Sequence, residues 1–298
     1  MKSTRLATLC VAFGLAAFST FEVEAETYTD GTGETIWGHP PADIVSAEVT
    51  HNSNNVVFAI TLNGNPNANG WVKLMVGIAT GKTAGTATGN GWGRPINLSA
   101  GSGKGMNFWI GSWTDGSGGA EFRSYSNLTS TWSLAGATYN NNFPGTFAMS
   151  ASTVTYTISR SALGLNSGDT IYFDVYTSGG GDSDSAIDAL GKATQSVANW
   201  GDSYSSAPPN LLSYTLSAPA DFDGDGTPDA TDADDDNDGL PDTVETGTGI
   251  WVSSSDRGTN PKNVDTDEDG LNDGVETDRK STRLNSSHLK LSRMPSSA

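Results

Sequence analysis

Residues 42–64, ADIVSAEVTHNSNNVVFAITLNG, set two runs of alternating apolar and polar residues on either side of a cluster of asparagine and serine. In the first run Val45, Ala47 and Val49 alternate with polar neighbours, and in the second Val56, Phe58, Ile60 and Leu62 do the same. A period of two puts every second side chain on one face of a strand, and β-branched and aromatic residues suit a half-buried pleated surface. HNSNN supplies turn residues between the runs, so the stretch reads as an antiparallel strand pair.

The same theme continues outward. Strands are expected at Val72, Leu74, Val76 and Ile78, over 106–113 and 120–125, at Val154, Tyr156 and Ile158, at Ile171, Phe173 and Val175, and over 211–216. Glycine, asparagine and serine clusters separate them, and no stretch carries a convincing helical period. SRSALGLNSGD, 159–169, reads as a connecting turn or single helical turn, and 187–197 as the one short helix. About eight to ten strands with frequent turns predict an all-β chain, an antiparallel β-sandwich or jelly roll over 26–217. An irregular segment follows it.

The chain has 298 residues and a net charge of −18, and the acidity is concentrated. Residues 221–277 hold eighteen acids against two bases. No nucleic-acid partner is expected of so acidic a chain, since phosphates need neutralising cations. At the start, Lys2 and Arg5 precede an apolar run from Leu6 to Phe18, and Val23, Glu24 and Ala25 form a small-x-small cleavage site. Residues 1–25 therefore read as a secretory signal peptide, too short in its apolar part for a span of about 20 residues. The expected protein is secreted, extracellular or at the cell surface, with no membrane insertion once the signal is cleaved. Cys10 is the only cysteine and leaves with the signal, so the mature chain has neither disulfide nor thiolate chemistry.

Three segments of the acidic region align without gaps: DFDGDGTPDATD, DDDNDGLPDTVE and DTDEDGLNDGVE. Each reads D-x-D-x-D-G-x-x-D-x-x-[DE], with side-chain oxygens at positions 1, 3, 5, 9 and 12, glycine at 6 and a backbone carbonyl available at 7. That is the ligand spacing of a twelve-residue Ca2+ loop. The first set is Asp221, Asp223, Asp225, Thr227, Asp229 and Asp232; the second is Asp234, Asp236, Asp238, Leu240, Asp242 and Glu245; the third is Asp265, Asp267, Asp269, Leu271, Asp273 and Glu276. A solvated acidic linker would not hold glycine in phase three times. So many carboxylates repel one another unless a divalent cation lies between them, so order in 218–277 is expected to depend on Ca2+.

The first two loops begin thirteen residues apart, which leaves no room for the flanking helices of paired EF-hands. The segment resembles thrombospondin type 3 repeats, which implies a chain with little regular structure wrapped around its calcium ions. It departs from them in the insert TGTGIWVSSSDRGTNPKNV, 246–264, which is similar to a bacterial variant of the array with a GTNP turn, and in which Trp251 and Val252 are expected to form a small apolar clamp. The region 26–217 resembles DOMON-like and family 9 carbohydrate-binding sandwiches found on bacterial secreted enzymes. That likeness is carried by residues 42–64 and by YTISRSALGLNSGDTIYFDVYTSGGGDS, 156–183, and it implies a carbohydrate-binding module.

Candidate ligand contacts are the tryptophans in glycine-rich turns: Trp71 in NGWVK, Trp92 in GNGWGRP and Trp113 in GSWTDG. A flat ring on a rigid turn can stack on a sugar face, and Arg94 and Asp115 lie close in sequence to supply hydrogen bonds. The competing expectation is that these rings fill the core. Asp182, Asp184 and Asp188 in GGGDSDSAID could hold a calcium ion within the sandwich or merely solvate a loop.

Other motifs do not carry chemistry. GIATGKT is one residue short of a phosphate-binding loop, and Ser203 in GDSYS lacks the strand-turn-helix setting of a hydrolase nucleophile. His39 and His51 sit in turn-like sequence and are expected to be solvated. Among Glu34, Glu48, Asp115, Glu121, Asp174, Asp182, Asp184 and Asp188, no spacing selects a glycosidase pair.

The expected protein is noncatalytic: a sandwich that binds a glycan or cell-surface polymer, followed by a calcium-rigidified spacer. The alternatives are the ancillary N-terminal part of a larger secreted enzyme, such as a glycoside hydrolase, and a structural adhesin or stalk. The end of the chain bears on this choice. Back-translated with one allowed codon per residue, DRKSTRLNSSH and SRMPSSA reproduce the two ends of a sequencing-library adapter in one frame, with a barcode-sized gap between them. Residues 278–298 are thus expected to be a non-native tail.

Overall fold

The computed structural model describes residues 4–6, 25–36, 38–68, 70–101 and 104–276. The expected signal peptide lies outside them except for Ala25 and a short strand, β1 (Thr4–Leu6), which pairs with β2 (Ala25–Thr29). The adapter-like residues 278–298 lie outside them as well. The chain divides into two compact units, one ending at Ala218 and the other resuming at Pro219.

In the first unit the strands continue as β3 (Ile44–His51), β4 (Asn55–Leu62), β5 (Lys73–Ala79), β6 (Ile96–Leu98), β7 (Phe108–Trp113), β8 (Gly119–Ser126) and β9 (Thr131–Ala137). Then come β10 (Gly145–Ser150), β11 (Thr153–Ser159), β12 (Thr170–Ser178), β13 (Asp188–Ala189), β14 (Tyr204–Ser206) and β15 (Leu212–Thr215). One sheet has the order β1-β2-β3-β4-β11-β10, the other β13-β12-β5-β7-β8-β9 with β15 also on β12. Both are antiparallel throughout, and only the small sheet of β6 and β14 is parallel. The all-β class expected from the sequence is what forms.

The two large sheets share one apolar core. Val49, Phe58, Ile60 and Tyr156 from the first meet Val76, Ile78, Ile110 and Phe173 from the second. Phe173 stands edge-on to Tyr28 and Phe58, with centroids 5.2 and 5.4 Å away. A fully buried side chain of this size contributes roughly 1.5–3 kcal/mol, so a core this large needs no disulfide. Buried hydroxyls join the sheets too: Tyr28 donates to the Ser213 carbonyl at 2.6 Å, and Ser112 Oγ lies 2.6 Å from the Tyr156 hydroxyl.

The opening pair forms as read, with β3 and β4 in antiparallel register and Val56, Phe58, Ile60 and Leu62 buried. At its start the register differs by one residue. A bulge between Ile44 and Ser46 turns Ile44 inward, where the alternation had placed Val45. His51 is also inside: its Nδ1 lies 2.6 Å from the Tyr214 hydroxyl on β15, because His51 is the last inward position of β3 rather than part of the turn. Residues 159–169 contain one helical turn, α1 (Arg160–Leu163), capped by the Ser159 hydroxyl and closed by Gly164 at φ 66°. The helix expected over 187–197 does not form. Asp188 and Ala189 instead pair with Tyr176 and Thr177 as β13, and Ala186, Ile187 and Leu190 are buried as the chain crosses the sheet.

A second apolar layer covers the other face of the seven-stranded sheet. Met75, Trp109 and Tyr176 point into it and meet Ile96, Leu98, Ile187 and Tyr204 from the long connections. This explains why β5 and β12 are buried on both faces. The cover thins over β8, whose outward residues Glu121, Arg123 and Tyr125 are only partly buried.

Candidate functional site

The three acidic segments fold as three copies of one loop. In each, the position-6 amide donates to the position-1 carboxylate: Gly226 to Asp221 at 3.1 Å, Gly239 to Asp234 at 3.0 Å and Gly270 to Asp265 at 2.8 Å. The position-7 amides of Thr227, Leu240 and Leu271 donate to Asp225, Asp238 and Asp269. The position-9 carboxylates of Asp229, Asp242 and Asp273 accept the amides of Phe222, Asp235 and Thr266 and so close each loop on itself. The position-6 glycines have φ of 97°, 96° and 96°, a left-handed geometry that a side chain resists.

These turns face the carboxylates of positions 1, 3 and 5 toward one another. In Asp221–Asp223–Asp225, Asp234–Asp236–Asp238 and Asp265–Asp267–Asp269, one oxygen from each residue lies within 4.8 Å of the others. A fourth cluster, Asp238, Glu245 and Asp273, joins the second loop to the third and is buried at all three residues. Asp223 Oδ2 is buried without a hydrogen-bond partner, and Glu245 is buried beside Thr259. Burial, reinforced by neighbouring carboxylates, pushes Asp236 up to about 6 and Glu245 up to about 7. The twelfth residue of the first loop behaves differently. Asp232 accepts the amides of Ala233 and Asp234 and is not part of the Asp221 cluster.

The insert ties the loops together. Lys262 pairs with Asp229 of the first loop and lies 3.7 Å from Asp235 of the second. The Asn263 amide donates to Asp236 at 2.8 Å, the Gly274 amide to Asp238 at 2.9 Å, and Arg257 to the carbonyls of Asp273 and Glu276. Of the expected apolar pair, Val252 is 62% exposed, just before an antiparallel bridge of Ser253 with Asp256.

In the first unit, Trp92, Arg94, Trp113 and Asp115 converge on one open groove of about 630 Å³, with Lys73, Gly91, Glu121, Arg123, Gly180 and Asp182. It lies on the outer face of the seven-stranded sheet, where Lys73 pairs with Trp113 and Gly111 with Glu121 in register. Trp92 lies over Gly111, where a Cβ would come within 2.4 Å of the ring. Its indole N–H donates to Glu121 at 2.8 Å. Burial works against the Glu121 charge, yet hydrogen bonds from Trp92, Arg123 and Tyr139 outweigh it and hold the carboxyl below its ordinary range. Arg94 is buried, donating to Ser178 Oγ and the Asp184 carbonyl, and presents its guanidinium 5.6 Å from the Trp92 ring centre.

Trp71 is not in the groove lining. It packs edge-on to His39 and Trp200 and against Gly180. Asp182, Asp184 and Asp188 do not meet: Asp182 lines the groove, Asp184 accepts the Gly181 amide, and Asp188 is buried against the Ile44 amide. Glu121 and Arg123 were missed as groove residues, although their alternation with Ala120 and Phe122 puts them on the face opposite the core. Comparison with protein-family models, with curated proteins and with solved structures gives no match.

Proposed function

We propose that this is a secreted, noncatalytic binding protein whose sandwich takes a glycan in the tryptophan-lined groove and whose acidic segment is a calcium-ordered spacer. The observation that carries the reading is the threefold convergence of carboxylates at positions 1, 3 and 5, each set spanning no more than 4.8 Å. Oxygens about 2.3–2.6 Å from one Ca2+ can stand at most about 4.6–5.2 Å apart, so each set fits around a single ion. Secretion rests on the signal-like start, and no helix among the described residues is long and apolar enough to cross a membrane.

The groove supports the glycan half. Two partly buried indoles offer apolar faces, and Asp115, Asp182, Lys73 and Arg123 offer hydroxyl partners around them. The test is retention of the full chain on insoluble polysaccharides and a glycan array, beside Trp92→Ala. Retention that the substitution abolishes is expected. Blank arrays, or equal retention of both proteins, would leave the groove without a glycan role and favour the stalk reading.

A further inference from the structure

The first unit holds a second acidic cluster, distant in sequence from the repeats. Asp30 follows β2, Glu34 and Asp43 lie in the connection to β3, and Asp188 begins β13. One oxygen each from Asp30, Glu34 and Asp188 lies within 4.8 Å of the others. Asp43, only 1% exposed, stands beside them, and its charge bears on both Glu34 and Asp188.

The backbone satisfies half of this cluster and leaves the rest open. Asp188 accepts the amides of Ile44 at 2.6 Å and Ala189 at 2.8 Å. Asp43 Oδ2 accepts from the Gly33 amide and Asn63 Nδ2, both at 2.8 Å, and Asp30 Oδ1 from the Gly31 amide at 2.9 Å. Of the other four oxygens, Asp30 Oδ2, Glu34 Oε1 and Asp43 Oδ1 are buried with no hydrogen-bond partner. None of the four residues forms an ion pair with a Lys or Arg among the described residues. Glu34 reaches this position by folding over Gly31, where a Cβ would lie 2.9 Å from Oε1.

Leaving a buried acceptor unsatisfied costs roughly 1–3 kcal/mol, and more for a charged group. Asp30 and Glu34, each with an unpartnered oxygen, meet Asp188 from a distant segment within 4.8 Å, and a cation between them accounts for the arrangement. The donors are all hard oxygens and their span suits calcium.

We infer that Asp30, Glu34 and Asp188, with Asp43 beside them, form a divalent-cation site, calcium by its donor set, that staples the β2–β3 connection of the six-stranded sheet to β13 of the seven-stranded one. It does for this cysteine-poor sandwich what a disulfide would do elsewhere. It is independent of the acidic repeats and of the groove.

The test uses the full chain and the double variant Asp30→Asn/Glu34→Gln, with melting of the sandwich followed by near-ultraviolet circular dichroism in calcium and in chelator. Calcium should raise the melting temperature of the unaltered protein and not that of the variant. In chelator the variant should melt at or above the unaltered protein, because repulsion has been removed. It should also bind one Ca2+ fewer per chain by equilibrium dialysis, while calcium still protects Arg257 and Lys262 from trypsin. An unchanged calcium-dependent shift, or a variant that melts lower in chelator, would overturn the site in favour of carboxyls sharing a proton. Should the variant fail to fold, crystals of the unaltered chain grown with Tb3+ decide the matter. An anomalous peak between Asp30, Glu34 and Asp188 is expected, and its absence refutes the inference.

Discussion

Gly274→Ala should uncouple the second acidic loop from the third. A Cβ at this position would lie 2.0 Å from the Asp238 carbonyl oxygen and 3.3 Å from Asp238 Oδ1. Relieving that overlap requires the two backbones to part by roughly 1 Å. The Gly274 amide would then lose its 2.9 Å hydrogen bond to Asp238, a contact to a charged group worth about 1.5–3 kcal/mol. The Asp238–Glu245–Asp273 cluster, now within 4.8 Å, would open beyond the roughly 5 Å that one calcium ion can bridge. Arg257 and Lys262 are the only basic residues in 221–277, so tryptic cleavage there reports opening of this segment. At saturating calcium the cleavage rate should rise roughly 10- to 100-fold, following the population of the open form. One fewer ion should also be bound per chain. Unchanged cleavage together with unchanged stoichiometry would show that the junction is not a calcium site and that the Gly274 contact is incidental.

Gly226→Ala tests a different role for glycine. Nothing lies within 4 Å of the added Cβ, so the penalty comes from φ of 97° alone, about 1–3 kcal/mol confined to the first loop, and is read as weaker calcium binding with sandwich melting unchanged. Asp115→Ala, at an exposed groove position, should weaken polysaccharide retention several-fold in affinity electrophoresis, less than the loss expected for Trp92→Ala. Asp174→Asn isolates a buried carboxyl that burial pushes up to about 7 from 3.8. The folded form keeps its proton to higher pH than the unfolded form, so the stability this group contributes is lost as pH rises from about 4 to about 7. At about 1.4 kcal/mol per unit the loss reaches about 4 kcal/mol. The asparagine variant, which can still accept from Val175 and Gly191 and donate to Ser206, should therefore melt higher than the unaltered protein at pH 8 and equally at pH 4. Identical melting curves at pH 8 would refute the raised pKa.

What could be read from the sequence was what is local. Twelve consecutive residues build each acidic loop, so carboxylate spacing and the position-6 glycines announced the turn geometry in advance. β4 and β11 were legible because one face of each meets the core and the other does not, a period of two in plain view. β9 and β10 were not, since TWSLAGA and GTFAMS expose most side chains on both faces and leave little alternation to detect. The expected helix at 187–197 failed because its apolar residues are buried as the chain crosses the sheet, a pattern indistinguishable in sequence from a short helix. Asp188 was noticed with the wrong partners. Its contact with Ile44 spans 144 residues, and only the pairing of distant strands brings it to Asp30 and Asp43. The groove was half visible: tryptophans flanked by glycine stood out, whereas Glu121 and Arg123 looked like ordinary outward positions of a strand.

The central claim is that calcium orders the acidic segment. A calcium titration of the full chain, with bound ions counted by equilibrium dialysis and trypsin cleavage at Arg257 and Lys262 followed at each point, tests it most directly. The account expects saturable uptake of at least three ions per chain, one for each loop cluster, with cleavage suppressed over the same concentration range. No saturable uptake below about 10 mM calcium, beyond the range of known extracellular loops, would contradict it.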